Sequence, residues 1–440
     1  MSGDTVTEAR HLRVAARIVK SALPLYVNTL IASVGALVNT ATLGRHGTAS
    51  LAAFVVAVAV YGPVVTTVTG AMRGMMPYVS EHENDLPRLG KLLGNGLWLG
   101  YTVGGAGAVV VLSTSQIGRV TGVAEPVLRG LGALPVLLAL AVVAQSVGAA
   151  ASSTLVTLGR GGTVMRAGLI STAVTVGLSG SLVLGPGPLP ALGVTGAGAA
   201  MLASSVVYTA QTQLALRRIT GLRRTILPGR PDRREIVLLA RTGIPMAGTV
   251  LVKFTVLAVL TIAAARLGTQ QAGVHGVAEA LVNLIYTIAV SIGQAVVPMV
   301  DRSVRAADLD GARRAVRTGA VVAFLWVGVL GSAAVILGRW IVPLFSSDAA
   351  LQPRIEAMLP LVVFVVVTDA LQAVFGFGLL GLRRTYPGFV STAVFFGLLC
   401  LVAVPVADAG GLTALWCALG IANLAQALSK GFFFHRASRS

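Results

Sequence analysis

The sequence is poor in charge. Only 11% of its 440 residues are Asp, Glu, Lys or Arg, where a soluble chain carries about a quarter. So few charges cannot cover a water-exposed surface. Cysteine is almost missing: Cys400 and Cys417 are the only two, and both fall inside apolar runs. No disulfide framework follows. With five histidines, His and Cys are too sparse for a metal site. No G-x-x-x-x-G-K-[ST] loop occurs, so the chain does not hydrolyse ATP itself. The GLSG at Gly177–Gly180 has the form of a serine-hydrolase fragment, but no histidine deep within the membrane is available as base. No cofactor and no enzymatic activity are implied. The polar N-terminus, with Arg10, Arg13, Arg17 and Lys20, lacks a short apolar core followed by a small-residue cleavage site, so no cleaved signal peptide is expected.

What the chain does have is apolar length. Its mean hydropathy is +0.83, and hydrophobic runs of about 20 residues or more recur throughout. They predict twelve membrane spans: 17–43, 48–79, 90–113, 127–158, 162–184, 194–217, 235–265, 270–300, 311–338, 354–382, 386–407 and 411–435. The 52 glycines, as in GVTGAGAA, suit close helix packing rather than phosphate binding. The net charge of +18 raises a nucleic-acid reading, which position argues against. With twelve spans, most Lys and Arg fall on one side, which by the positive-inside rule is the cytoplasm and holds both termini. The densest cluster, Arg217, Arg218, Arg223, Arg224, Arg230, Arg233, Arg234 and Arg241, faces anionic lipid as an inner-leaflet anchor. Lys430 is counted among the cytoplasmic residues. Three charges are expected within spans: Lys253, Glu279 and Asp369.

Lys253 is the most informative of these. It lies about 20 Å from Arg266 along a helix, and from Ile236 to Ala265 the only other charge is Arg241, near the start. Asp369 lies at a similar depth between Arg354 and Arg383. An intramembrane charge is costly and marks a functional site by default, and a lysine and an aspartate at one level suggest a pair. A structural buried pair, or a lysine that snorkels to an interface, fits the same residues. Glu279 falls in the outer half of its span, as a second proton site or as a water-exposed residue. His275, near that edge, reads as a hydrogen-bonded structural residue or a proton carrier. Asn28, Asn39, Tyr61, Asn283, Gln294 and Gln372 are candidates to line a substrate cleft, or simply to bond across helices.

The two halves of the chain resemble each other. Pro24 in SALPLYVNTL matches Pro245 in TGIPMAGTVL, and Pro77 in MRGMMPYV matches Pro298 in GQAVVPMV. Asp85 matches Asp308, and the STAV of Ser171–Val174 recurs at Ser391–Val394. Each half holds six spans, an even number, so the repeat is parallel. The expected organisation is a bundle over 1–217, a basic cytoplasmic linker over 218–234 and a second bundle over 235–440. The fold class is an all-α integral membrane protein with two pseudo-symmetric six-helix bundles around a central cleft.

Three stretches carry a family resemblance. ALPLYVNTLIASVGALVNTATLGRHGTASLAA resembles the first-helix signature of the MATE (multidrug and toxic compound extrusion) family, of the MOP flippase superfamily. GIPMAGTVLVKFTVLAVLTIAAARLGT resembles its seventh helix and TDALQAVFGFGLLGLRRTYPG its tenth. The resemblance implies cation-coupled antiport, in which protons or sodium ions enter while an amphipathic small molecule leaves, by a monomer in a bacterial plasma membrane with no nucleic-acid partner. The departures matter. Asn39 stands where the family usually has an aspartate, and it cannot exchange a proton. The fifth helix offers only Thr175, Ser179 and Ser181. Lys253 stands where many members carry glutamate, while Asp369 retains the tenth-helix aspartate. An ammonium there occupies a sodium ion's place and repels it, which points to protons. Either Asp369 takes the proton, or Lys253 loses one when Asp369 moves away. A flippase for lipid-linked oligosaccharides and a non-transporting membrane interaction protein are the alternatives. The first wants many cations for a pyrophosphate, and Lys253 is a poor supply.

Overall fold

The computed structural model describes residues 3–185, 191–221, 229–345, 348 and 350–439. Residues 222–228 of the expected linker, with Arg223 and Arg224, lie outside the described residues. Every regular element among the described residues is an α-helix. In chain order these are α1 (Gly3–His46), α2 (Thr48–Arg73), α3 (Met76–Glu81), α4 (Leu86–Leu112), α5 (Thr114–Val120), α6 (Glu125–Arg129), α7 (Leu134–Thr157), α8 (Gly161–Leu184) and α9 (Gly193–Thr220). They continue with α10 (Arg233–Arg266), α11 (Thr269–Arg305), α12 (Leu309–Ile336), α13 (Gly338–Phe345), α14 (Gln352–Gly381) and α15 (Thr385–Ala437). Eleven described helices are long and apolar enough to cross a membrane, and the protein is a multi-pass membrane protein. Helices serve here because a backbone in lipid must satisfy its own hydrogen bonds.

The count of eleven reconciles with twelve runs inside α15. Its 53 residues hold both of the last two expected runs, and Gly411 breaks the helix at φ 65°, ψ −161°. That backbone region is open almost only to glycine. The two halves fold back on each other: Phe396, Leu399, Ala403 and Ala407 share one buried cluster with Leu412, Leu415, Trp416 and Leu419. A single glycine thus does the work of a loop.

The repeat is visible in local structure. The Asp85 side chain accepts from the Arg88 amide at the start of α4, and the Asp308 side chain accepts from the Gly311 amide at the start of α12. Both are N-caps, the role in which aspartate satisfies an orphan helix donor. Pro24 and Pro245 both lie inside long helices, α1 and α10. The second matched pair differs. Pro298 lies within continuous α11, whereas Pro77 sits in the first turn of α3, after a break at Gly74 and Met75. Gly74 lies against the backbone of Gly243, and a Cβ at either would meet the opposite main chain.

Packing gathers the chain into two compact units, residues 1–26 with 251–440 and residues 27–250. The division passes through α1 just after Pro24 and through α10 soon after Pro245. In the first unit, Ile18 and Ala22 of α1 pack with Ile288 and Ile292 of α11, Val316 of α12 and Val374 of α14. In the second, Leu43 of α1 and Phe54 of α2 pack with Leu134 and Leu138 of α7 and Ala197 of α9.

Candidate functional site

The site grows from single charged residues in otherwise apolar stretches of α10, α14 and α15. On α14, Asp369 and Gln372 are three residues apart and so share a face. Gln372 Nε2 donates to Asp369 Oδ1 at 2.7 Å, and Lys253 Nζ on α10 donates to Asp369 Oδ2 at 2.6 Å. Both carboxylate oxygens are thus engaged. The Asp369 side chain is 3% exposed and that of Lys253 is 22% exposed. Lys253 Nζ also lies 3.4 Å from the ring centroid of Tyr286 on α11, an arrangement in which the ring face attracts the cation. On the far side of Gln372, Lys430 of α15 donates to Gln372 Oε1 and, at 3.3 Å, to Gln426 Oε1. A polar row therefore runs Tyr286, Lys253, Asp369, Gln372, Lys430, Gln426, drawn from α10, α11, α14 and α15.

Lys430 corrects the reading of the sequence. Counted there as cytoplasmic, it is 2% exposed and belongs to this row, so it joins the three charges expected within spans. Its proximity to the end of the last apolar run gave it the look of a flanking residue. The available signal was its phase: Asn423, Gln426 and Lys430 fall on one face of α15, a polar stripe through an apolar helix.

Glu279 does not join the row. It lies on α11 with its side chain 35% exposed, 3.6 Å from Nε2 of buried His275. The Trp416 indole donates to His275 Nδ1 at 3.2 Å. An indole N–H only donates, so Nδ1 accepts and a neutral ring carries its proton on Nε2. That nitrogen faces Thr261 Oγ1 at 3.2 Å. His275 is thereby a junction between α10, α11 and α15. Asn283 is exposed and Gln294 half-buried on the same helix, and neither is drawn into the row.

The unit of residues 27–250 has a different chemistry. Ser179 of α8 donates to Asn39 Oδ1 of α1, both side chains buried. The Asn28 amide rests on Gly168, where any Cβ would overlap it, and its Oδ1 has no partner. Tyr61 on α2 is half-buried against the core of this unit. Among the described residues of this unit, acidic side chains stand only near helix ends: Glu81, Glu83, Asp85, Glu125, Asp232 and Glu235. Two of these form a clasp. Lys91 Nζ lies 2.7 Å from Asp232 Oδ2, Asn95 Oδ1 accepts from the Asp232 amide at 2.9 Å, and Asn95 Nδ2 donates to Glu235. The Lys91 hydrogen bond holds the Asp232 carboxyl below its usual range. Among the described residues no group of three His, Cys, Asp or Glu converges to hold a metal ion.

A family model described as MatE matches residues 245–406, which include Lys253, Glu279 and Asp369. Several similar bacterial proteins span nearly the whole chain. A probable multidrug resistance protein NorM of Chromobacterium violaceum is 25% identical over 457 residues, covering 98% of this chain and 96% of its own. One from Aromatoleum aromaticum is 25% identical, with 88% and 84% covered, and one from Deinococcus radiodurans is 28% identical, with 90% and 81% covered. The chain is thus similar to MATE proteins along nearly its whole length. Solved structures share the MATE fold at low identity. The eukaryotic MATE transporter AtDTX14 superposes with a TM-score of 0.84 at 18% identity, covering 98% of each chain. The Vibrio cholerae MATE transporter VcmN in its bent form gives 0.83 at 14%, covering 98% of each. A MOP superfamily transporter of Pyrococcus furiosus, described by a binding pocket of reverse polarity, gives 0.84 at 15%, covering 97% and 96%.

Proposed function

We propose that this protein is a secondary active efflux antiporter that exports an amphipathic small molecule from a bacterial cell in exchange for protons. Its repeat-related halves are 1–217 and 235–440, joined by 218–234, with both termini cytoplasmic, and its packed bodies are residues 1–26 with 251–440 and residues 27–250. The observation that carries the reading is the Lys253–Asp369 contact at 2.6 Å in an apolar interior. An ionisable pair in lipid-embedded helices is costly unless it does something, and here it heads a row of exchangeable hydrogen bonds. The MATE relatives named for multidrug resistance supply the transport class. The ammonium of Lys253 stands where a coupling cation would meet Asp369, which disfavours sodium. Coupling then resides in the unit containing Asp369, Lys253 and Glu279. The other unit, with Asn28, Asn39 and Tyr61, supplies neutral polar contacts.

Everted membrane vesicles carrying the protein test this with ethidium as a fluorescent probe. Ethidium movement should follow an imposed pH gradient and be unchanged by sodium. Sodium-driven movement with no pH gradient would overturn the coupling assignment. One observation favours a second reading of the substrate. Lys253, which keeps some exposure, reverses the charge that the family resemblance implies at that position, and this suits an anionic or zwitterionic substrate. Running carboxyfluorescein beside ethidium separates the two.

A further inference from the structure

One member of the polar row has no opposite charge in contact. Lys430 is buried on α15, and its hydrogen bonds go to two neutral amide oxygens, Gln372 Oε1 on α14 and Gln426 Oε1 one turn back on its own helix. The ionised groups acting on it are Asp369 from α14, which attracts it, and Lys253 from α10, which repels it. Those two are already matched to each other at 2.6 Å. A charged Lys430 therefore leaves the row with one positive charge in excess, and an unmatched charge away from water is costly.

Gln426 adds an independent observation. It is fully buried, its Oε1 accepts from Lys430, and its Nε2 has no partner. Rotating that amide by half a turn presents an N–H to Lys430 in place of the oxygen. An ammonium has no lone pair to accept it, but an amine has one. The same side chain can therefore serve both forms of Lys430. Lys253 is held otherwise: a carboxylate oxygen and the face of Tyr286 both favour its ammonium form.

We propose that Lys430 carries the exchanged proton, alternating between ammonium and amine while Lys253 and Asp369 remain an ion pair. The inference rests on the proton-coupled reading above and names the atom that holds the proton within it. On release, the N–H bond of Lys430 Nζ breaks and the proton passes to water on the side to which the row is open, the nitrogen keeps the electron pair, the row becomes neutral, and the Gln426 amide turns to donate. Uptake reverses each change. Lys430 lies about 10 Å along the helix from the end of α15, whereas Asp369 lies about 18 Å from the end of α14, so the proposed carrier is the member of the row nearer a helix end. Arginine could not take the role, because its guanidinium does not deprotonate.

The test uses the scarcity of lysine. The chain has only Lys20, Lys91, Lys253 and Lys430, so full-length protein labelled with nitrogen-15 at lysine Nζ gives four signals to follow with pH in detergent. The signal missing in Lys430→Met should pass from ammonium to amine within the pH range over which the protein stays folded. The signal missing in Lys253→Met should stay ammonium throughout. A Lys430 signal that does not move, or a Lys253 signal that does, overturns the proposal. In proteoliposomes, Lys430→Arg and, as a neutral second variant, Lys430→Gln should bind ethidium but lose about tenfold or more of its movement under a pH gradient, a barrier change of about 1.4 kcal/mol. Gradient-driven transport at the wild-type rate in Lys430→Arg would overturn the inference and leave proton-coupled antiport standing. No gradient-driven movement by the wild type, with either ethidium or carboxyfluorescein, would count against the antiport reading itself, and the nitrogen titration would still decide Lys430.

Discussion

Removing one partner of the Lys253–Asp369 pair should cost more on one side than on the other. Truncating either member of a buried pair costs about 3–5 kcal/mol, because the other charge is stranded. Lys253→Ala leaves Asp369 accepting from Gln372 at 2.7 Å, with the positive Lys430 bound to the same amide. The carboxylate is still served, so the loss should fall near the low end, about 3 kcal/mol. Asp369→Ala leaves Lys253 and Lys430 together with no carboxylate in the row. Only the face of Tyr286 and the half-exposed Glu279 remain to offset Lys253. That loss should reach the upper end, about 5 kcal/mol. The double variant strands neither member of the pair and should recover about 2–3 kcal/mol relative to the sum of the single losses. Unfolding midpoints in detergent, read from all four proteins, complete the cycle. Strictly additive losses would refute the argument, since residues that share a 2.6 Å contact must couple. An Asp369→Ala variant no worse than Lys253→Ala would refute the part assigned to Lys430.

Three further outcomes are expected. Asn39→Ala removes the acceptor of the buried Ser179 hydroxyl and should cost about 1–3 kcal/mol in detergent unfolding, while the pH profile of ethidium transport stays in place; a displaced profile would return proton coupling to the unit of residues 27–250. Gly411→Ala puts a Cβ where φ is 65° and ψ is −161°, at a cost of about 1–3 kcal/mol, and should lower folded yield in fluorescence-detected size exclusion, whereas an unchanged yield would mean that the turn within α15 tolerates other backbone angles. Asp232 is held below the usual carboxylate range by Lys91; a lowered folded value means that its contribution is present at neutral pH and is lost as pH falls through that value. The unfolding midpoints of wild type and Lys91→Gln should therefore converge below about pH 3, and a constant gap would show that the clasp contributes nothing through its charge.

Much of the fold was legible because lipid imposes long apolar helices with few solutions. Apolar length marked α2, α4 and α7 to α12 directly. The repeat was legible where a residue has a local job, as with the Asp85 and Asp308 caps. It was less legible where tertiary contact intervenes: Pro77 and Pro298 match in sequence, yet Gly74 breaks the helix ahead of Pro77, where it meets the backbone of Gly243. Chain order likewise says nothing of where helices pack, and the first parts of α1 and α10 pack within units built mostly from the other half of the sequence.

The site was legible to the extent that depth alone could locate it. Lys253 and Asp369 stand far from either end of their runs, where a side chain cannot reach a membrane interface along its helix, so each requires a partner at its own level. Lys430 stands close enough to a helix end for the aliphatic stem of a lysine to reach an interface, and depth cannot separate that fate from burial. Phase can. Asn423, Gln426 and Lys430 recur at i, i+3 and i+7, and three polar groups on one face of an apolar helix want a polar neighbour. The matching face is the Asp369–Gln372 turn of α14, and Gln372 joins the two by donating to the carboxylate and accepting from the lysine. Neutral glutamines in that position make the contact insensitive to which lysine is charged. A carboxylate in their place would tie Lys430 to the ammonium form, and the row would lose a group free to exchange a proton.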